Sequence, residues 1–338
     1  MRRILFYLFS FFVSGMMLYS CSTDVDLYAD YKDITVVYGL LDSGKDTNYI
    51  KINKAFLGPG NALDIALIDD SCNYPGKLDA KLIEYKGSAT GSNYHQTRVL
   101  PLDTITIFNK DLGIFYAPKQ LVYYTKAKLN NNTENSTYKY ELQIDRGDTL
   151  ITASTEMVGG SGFTVFLSQL DFSSEYGRIK WQRCPNAAIY ELILKFYFTE
   201  VGPTNDSVQR CMTWSLGTFP ASSLTEESNS LSIQYKSSLF FPNLASFLGN
   251  DTTKNVDRLV FEPSLVLSIA AGGDELYNFI SVNGPSSSIA QNIPEYTNVN
   301  GGYGVFSSRT LMEKKVKLHN RTFTELLKRE NWHFRQAR

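Results

Sequence analysis

Histidine and cysteine are scarce in this chain of 338 residues, with three and four copies respectively. His95, His319 and His333 lie far apart, and no H-E-x-x-H or paired-histidine spacing exists, so a zinc site finds few ligands. A G-x-S-x-G segment, a P-loop and a strand–GxGxxG–helix unit are also missing, which leaves a nucleophile elbow and a nucleotide cradle without support. Charge is thin as well. Lys and Arg number 33 against 34 Asp and Glu, a net of -1, which argues against general nucleic-acid binding. Beyond residue 19 no long apolar run recurs, so the body offers no helix of the roughly 20 apolar residues that span a membrane.

What is present is a 43% hydrophobic chain with 21 Tyr and 21 Phe, a composition suited to a β-rich exported protein. Arg2 and Arg3 precede an apolar stretch over residues 4–19, too short to span and placed as a secretory signal. The stretch ends in Leu18-Tyr19-Ser20-Cys21, which resembles a lipobox with Cys21 as the residue to be lipidated, though Tyr19 departs from the small or polar residue usual there. Several acyl chains hold a protein on a bilayer where one chain does so only marginally. Residues 21–31 then form an acidic tether carrying Asp24, Asp26 and Asp30, which resembles the surface-export signal of Bacteroidetes-type lipoproteins.

From Asp33 onward the dominant period is two. Tyr138, Tyr140, Leu142 and Ile144 alternate with polar neighbours, as do Ile34, Val36, Tyr38 and Leu40, and this is the mark of strands with one buried face. The fold class expected is all-β, with two sandwiches over residues 32–158 and 163–318, short helical insertions at 61–70 and 274–281, and a basic helix or tail over 319–338. Gly159-Gly160-Ser161-Gly162 is expected to be the hinge between them. In the second part, Trp181, a Pro185-Asn186-Ala187 turn and Tyr190-Glu191-Leu192 resemble two successive strands of a fibronectin type III domain, which speaks for fold and not for function. Residues 303–318 are expected to close the fold as a strand pair. Thr322-Phe323-Thr324-Glu325 reads as a capping box for a final helix. From Arg309 onward nine Lys/Arg face three Asp/Glu, whereas residues 21–308 carry a net of -9. A solvated, partly frayed end is the plainer reading of that tail, against pairing with anionic headgroups or with the acidic body.

Three separated stretches together resemble an uncharacterised family of Bacteroidetes-type outer-membrane lipoproteins. They are residues 36–58 (VVYGLLDSGKDTNYIKINKAFLG) with 61–74 (NALDIALIDDSCNY), residues 140–158 (YELQIDRGDTLITASTEMV), and residues 296–308 (YTNVNGGYGVFSS). The last holds an Asn-x-x-x-Gly-x-Gly-x-Phe closing motif at Asn298, Gly302, Gly304 and Phe306. The resemblance implies an Ig-like sandwich followed by a fibronectin type III-like one, no known catalytic residue, no cofactor, and an accessory role beside a TonB-dependent outer-membrane receptor.

Other residues carry weaker expectations. With Cys21 lipidated, Cys72, Cys184 and Cys211 remain, and a Cys184–Cys211 disulfide stands against three separate buried thiols. Asp-Ser/Thr-x tripeptides place possible O-glycosylation on Thr104, Thr149, Ser207 and Thr252, by resemblance to the acceptor sequence of Bacteroidetes exported proteins. Tyr94, Tyr123 and Tyr124 are aromatics able to stack on sugars, which keeps a glycan-binding module open beside the leading expectation of a lipid-anchored, non-catalytic accessory or binding protein. An enzyme remains a third class and requires carboxylates converging between the two domains.

Overall fold

Alternation of apolar and polar residues lays down most of the chain as strands. The computed structural model describes residues 32–57, 61–89, 93–249, 256–284 and 295–337. Its strands are β1 (Lys32–Leu41), β2 (Asn48–Leu57), β3 (Asp79–Ser88), β4 (His95–Pro101), β5 (Asp103–Ile107), β6 (Gln120–Thr125), β7 (Ser136–Asp145), β8 (Leu150–Glu156), β9 (Gln169–Leu170) and β10 (Gly177–Gln182). There follow β11 (Ile189–Val201), β12 (Ser207–Pro220), β13 (Thr225–Glu227), β14 (Ser230–Tyr235), β15 (Asp257–Val260), β16 (Leu265–Gly272), β17 (Val299–Asn300), β18 (Gly302–Leu318) and β19 (Phe334–Gln336). Helices are α1 (Ala62–Ala66), α2 (Asp69–Cys72), α3 (Phe240–Leu248), α4 (Asp274–Asn283) and α5 (Asn320–Leu327). The expected insertions are both helical. Asn61 caps the first of them, its side-chain oxygen accepting from Leu63 N at 3.0 Å.

The protein is an all-β double sandwich. In the first half, β5, β6, β2 and β1 pair in that order and face the sheet β4-β3-β7-β8-β17. Val37, Ile50, Ile52, Leu82, Tyr140, Leu142, Ile144 and Phe306 fill the space between them. In the second half, β12, β11 and β16 face β10, β14 and β13, and Trp181, Tyr190, Leu192, Leu194, Phe196 and Phe198 point into the core. This inward set is the one the alternation along β11 gives.

Two expectations about the organisation are corrected. Residues 303–318 are not a strand pair but part of the single strand β18, and it belongs to both halves. Its first part runs parallel to β1, from Thr35 opposite Gly302 to Leu41 opposite Ser308. Its second part runs antiparallel to β16, from Gly272 opposite Arg309 to Leu265 opposite Val316. The division at 158 and 163 therefore misplaces the closing strand, because Val299 and Phe306 fill the first core while Val316 and Leu318 fill the second.

The closing motif explains itself at this crossing. Asn298 accepts from Phe306 N at 2.9 Å and donates to Phe306 O at 2.7 Å and Ser154 O at 3.2 Å, so one side chain ties β17 to β18 and β8. A Cβ at Gly304, whose φ is +113°, would stand 2.0 Å from Val37 O; only glycine lets the parallel strands meet there.

The expected hinge is clamped rather than free. Asn132 Nδ2 donates to Met157 O at 2.5 Å and Gly159 O at 3.0 Å, Val158 N donates to Ser308 Oγ at 2.8 Å, and Gly159 N donates to Pro185 O at 3.2 Å. The glycines are there for φ values of +118°, +156° and +95° at Gly159, Gly160 and Gly162, not for looseness.

The C-terminal end is also part of the fold. His319, not Thr322, caps α5, with Nδ1 accepting from Arg321 N at 3.2 Å. Thr322 is buried and its hydroxyl accepts from Phe172 N at 2.6 Å while donating to Asp171 Oδ1 at 2.9 Å. Trp332 and Phe334 bury themselves in the second core, and β19 pairs with β15. The frayed-tail reading fails because its apolar residues outweigh its charges in deciding where the chain goes.

Candidate functional site

A groove lies on the outer face of the second sandwich. Because Tyr190, Leu192, Leu194, Phe196 and Phe198 point inward, Lys195, Tyr197 and Thr199 must point outward, and they form its floor. Gln209 on β12, Val266 on β16 and Glu313 and Lys315 on β18 flank them, and Phe261 and Pro263 close one end. The volume is about 510 Å³, within the range of small-molecule sites. Lys195 Nζ stands 3.4 Å from Glu313 Oε1, and Ser268 Oγ donates to the same oxygen at 2.8 Å. The Ser268 hydrogen bond, with Lys195, holds the Glu313 carboxyl below the usual range. Burial and the Cys211 thiol beside it push the Tyr197 hydroxyl up, so it stays a neutral donor. Phe261 leaves over half of its surface to solvent. An aromatic ring, a hydroxyl, an amide and a charged pair thus face one concavity. The set suits a ligand with alternating apolar and hydrogen-bonding faces.

A second concavity sits where the halves meet. Glu156, Asp274, Glu275, Lys139 and Asn186 line a cleft of about 330 Å³. Glu275 Oε2 accepts from Thr155 Oγ1 and from Ser307 Oγ, each at 3.0 Å. One carboxyl on α4 therefore joins β8 of the first sandwich to the shared strand. Burial raises the Glu275 pKa against those hydrogen bonds. The carboxylates between domains that an enzyme would need are present here, but the best-placed one is engaged in holding the joint.

The residues singled out in the sequence scatter. Cys21 and Thr252 lie outside the described residues. Cys184, Cys211 and Cys72 are all free thiols, which corrects the possible Cys184–Cys211 pair. Cys184 N donates to the Tyr190 hydroxyl at 3.1 Å, whereas Cys211 stands opposite Tyr197. Seven residues of strand separate those points by roughly 23 Å, far beyond disulfide reach. Burial pushes the Cys184 thiol up to about 12. Thr149 and Ser207 are exposed and Thr104 is half-buried on β5. Tyr123 is fully buried and its hydroxyl accepts from Leu78 N at 2.7 Å, so it cannot stack on a sugar. Tyr124 packs against Tyr49 at the edge of the first sandwich, and Tyr94 lies over Gly87. The groove residues were missed. Alternation along β11 already put Lys195 and Tyr197 on the outer face, but nothing local says that Glu313, some 120 residues later, stands beside them.

No protein-family profile and no curated protein matches the chain. Among solved structures, one titled "Crystal structure of CBD12 from CALX1.2" is similar at 7% identity over 81% of this chain and 98% of its own, with a TM-score of 0.14, too low to inform the fold or the site.

Proposed function

We propose that the chain is a lipid-anchored outer-membrane accessory or binding protein, without catalytic activity of its own, that serves a TonB-dependent uptake system. The observation that carries this reading is the direction of the chain between anchor and groove. The tether leads from Cys21 into Lys32, the first residue of β1, and β18 starts beside it with Gly302 opposite Thr35. Glu313 of the groove lies eleven residues further along, roughly 36 Å up the strand. A body fixed at the β1 end holds its groove away from the bilayer, where a partner or ligand arrives. The basic and apolar signal residues and the Leu18–Cys21 lipobox support the anchor itself. Mild detergent extraction should bring an outer-membrane receptor out with the protein, and Cys21→Ser should release it from the membrane fraction and end fatty-acid labelling. Recovery of the intact protein alone, or retention of label by the variant, would overturn the reading. Tyr197 and Phe261 favour a second one, a glycan-binding module, which a glycan array without a hit would dismiss.

A further inference from the structure

The described surface carries many isolated apolar side chains, which need no explanation. One group is different. After β2 the chain makes α1 and leaves Leu63, Leu67 and Ile68 more than half exposed, and the loop between β5 and β6 does the same with Ile114, Phe115 and Leu112, the last 90% exposed. The two segments are tied together: Tyr116 N donates to Ala66 O at 2.8 Å, and Lys119 Nζ stands 3.6 Å from Asp69 Oδ2. Lys110 Nζ donates to Tyr116 O at 2.5 Å and lies 5.7 Å from the centre of the Phe115 ring, which holds the loop in shape with its apolar side chains outward. Six large apolar residues on one tip are a marked patch.

Register decides where this tip lies. Lys32, where β1 begins, stands opposite Leu57, where β2 ends, and α1 is the next described element along the chain. On β6, Tyr123 stands opposite Ile50 and Gln120 opposite Ile107, so the loop before β6 emerges at that same end of the sheet. The tip and the entry of the tether therefore share one end of the molecule. Residues 21–31 number eleven and span at most about 37 Å when fully extended. That keeps this end within reach of the bilayer while the far end of β18, roughly 56 Å along the strand, points away.

From this placement we infer that the tip formed by α1 and the β5–β6 loop inserts into the lipid interface and sets the angle at which the anchored body stands. The inference rests on the lipid-anchor reading. The occupant is lipid chain and glycerol region rather than anionic headgroup, because residues 61–70 and 108–119 carry four aspartates and two lysines. Contact of this kind follows buried apolar area and is indifferent to salt, unlike a polybasic contact.

The test uses the full-length lipidated protein in phosphatidylcholine vesicles. A tryptophan placed by Leu112→Trp, on a side chain that packs against almost nothing, leaves folding undisturbed. Its added emission should be blue-shifted and at least twofold weaker when the acyl chains carry bromine at positions 6 and 7, in low and high salt alike. Phe166→Trp, exposed on the second sandwich, should show no quenching. Unquenched Leu112→Trp emission in protein that still carries fatty-acid label would overturn the inference and leave the anchor standing, whereas absence of label from the wild type would overturn the anchor itself. Shielding of the added tryptophan without vesicles, rising with protein concentration, would assign the tip to a second copy instead.

Discussion

Each sandwich buries a charge held by several hydrogen bonds, Glu84 in the first and Arg258 in the second, and the two differ in sign and in neighbourhood. In the first, Glu84 is 1% exposed within an otherwise aliphatic and tyrosine core. Thr97 Oγ1 donates to it at 2.7 Å, Tyr140 at 2.6 Å, Arg98 Nε at 2.9 Å and Asn130 Nδ2 at 3.1 Å, and Arg98 Nη2 closes a second bond to the other oxygen. In the second, Arg258 is fully buried, opposite Phe334 on β19 and bonded to the backbone of Trp332. Its guanidinium donates to Glu200 at 3.0 Å and to Trp332 O at 2.8 Å. Glu84 holds the irregular segment that follows β6, through Asn130 and through Arg98 donating to Lys128 O at 3.1 Å. Arg258 holds the segment that follows α5. Irregular backbone has no ladder to satisfy it, and a buried charge with several hydrogen bonds supplies a fixed point. The difference is that acid can discharge the first and not the second.

The comparison breaks most severely at the strand both sandwiches share. Gly304→Ala places a Cβ against Val37 O and strains a φ of +113°, so the β1–β18 ladder must part, at a cost of about 4 kcal/mol or more. Trp181, Trp214 and Trp332 all lie in the second half. The wild type should melt in one transition seen alike by tryptophan fluorescence and circular dichroism. The variant should melt in two, the earlier silent in fluorescence. A single unshifted transition would show that the shared strand does not couple the cores.

Discharging Glu84 comes next. Burial alone would raise its pKa, but the bonds from Arg98, Tyr140, Thr97 and Asn130 outweigh that and hold it at about 2 against an ordinary 4.5. A depressed carboxyl contributes stability above its unfolded pKa and loses it as pH falls toward the folded one. Glu84→Gln should therefore cost about 3 kcal/mol at pH 7, with the cost shrinking between pH 4.5 and about 2. Denaturant unfolding across that window measures it. A difference that does not change with pH would mean the charge is not what holds the segment.

The smallest effect has the opposite sign. The Glu275 pKa is raised by burial, so its contribution is present below the ordinary carboxyl pKa and fades as pH climbs through the raised value. Glu275→Gln keeps an acceptor for Thr155 and Ser307 and removes the buried charge, and it should stabilise the protein slightly at pH 7 and not at pH 4. A loss of stability at pH 7 would instead make the ionised carboxylate the true link across the junction.

Much of this molecule is written locally. The alternation along β7 and β11 gave the strands and their inward faces, and the stretches 61–70 and 274–281 gave the short helices, because each depends on neighbours two to four residues away. The charge network was not legible, since Glu84, Arg98 and Asn130 sit on separate elements and each alone looks like a surface residue. The groove was half legible, from β11 but not from β18.

The sequence by itself determined the all-β class and the side of each strand that faces a core, since alternation acts over a few residues. Tertiary structure alone decided that β18 serves two sandwiches, that the chain is clamped at Met157–Gly159 where a hinge was expected, that Cys184 and Cys211 stay apart, and that Trp332 returns to the core. These depend on which distant segments bury each other's apolar faces and satisfy each other's backbone groups, and that competition is settled by the whole chain at once.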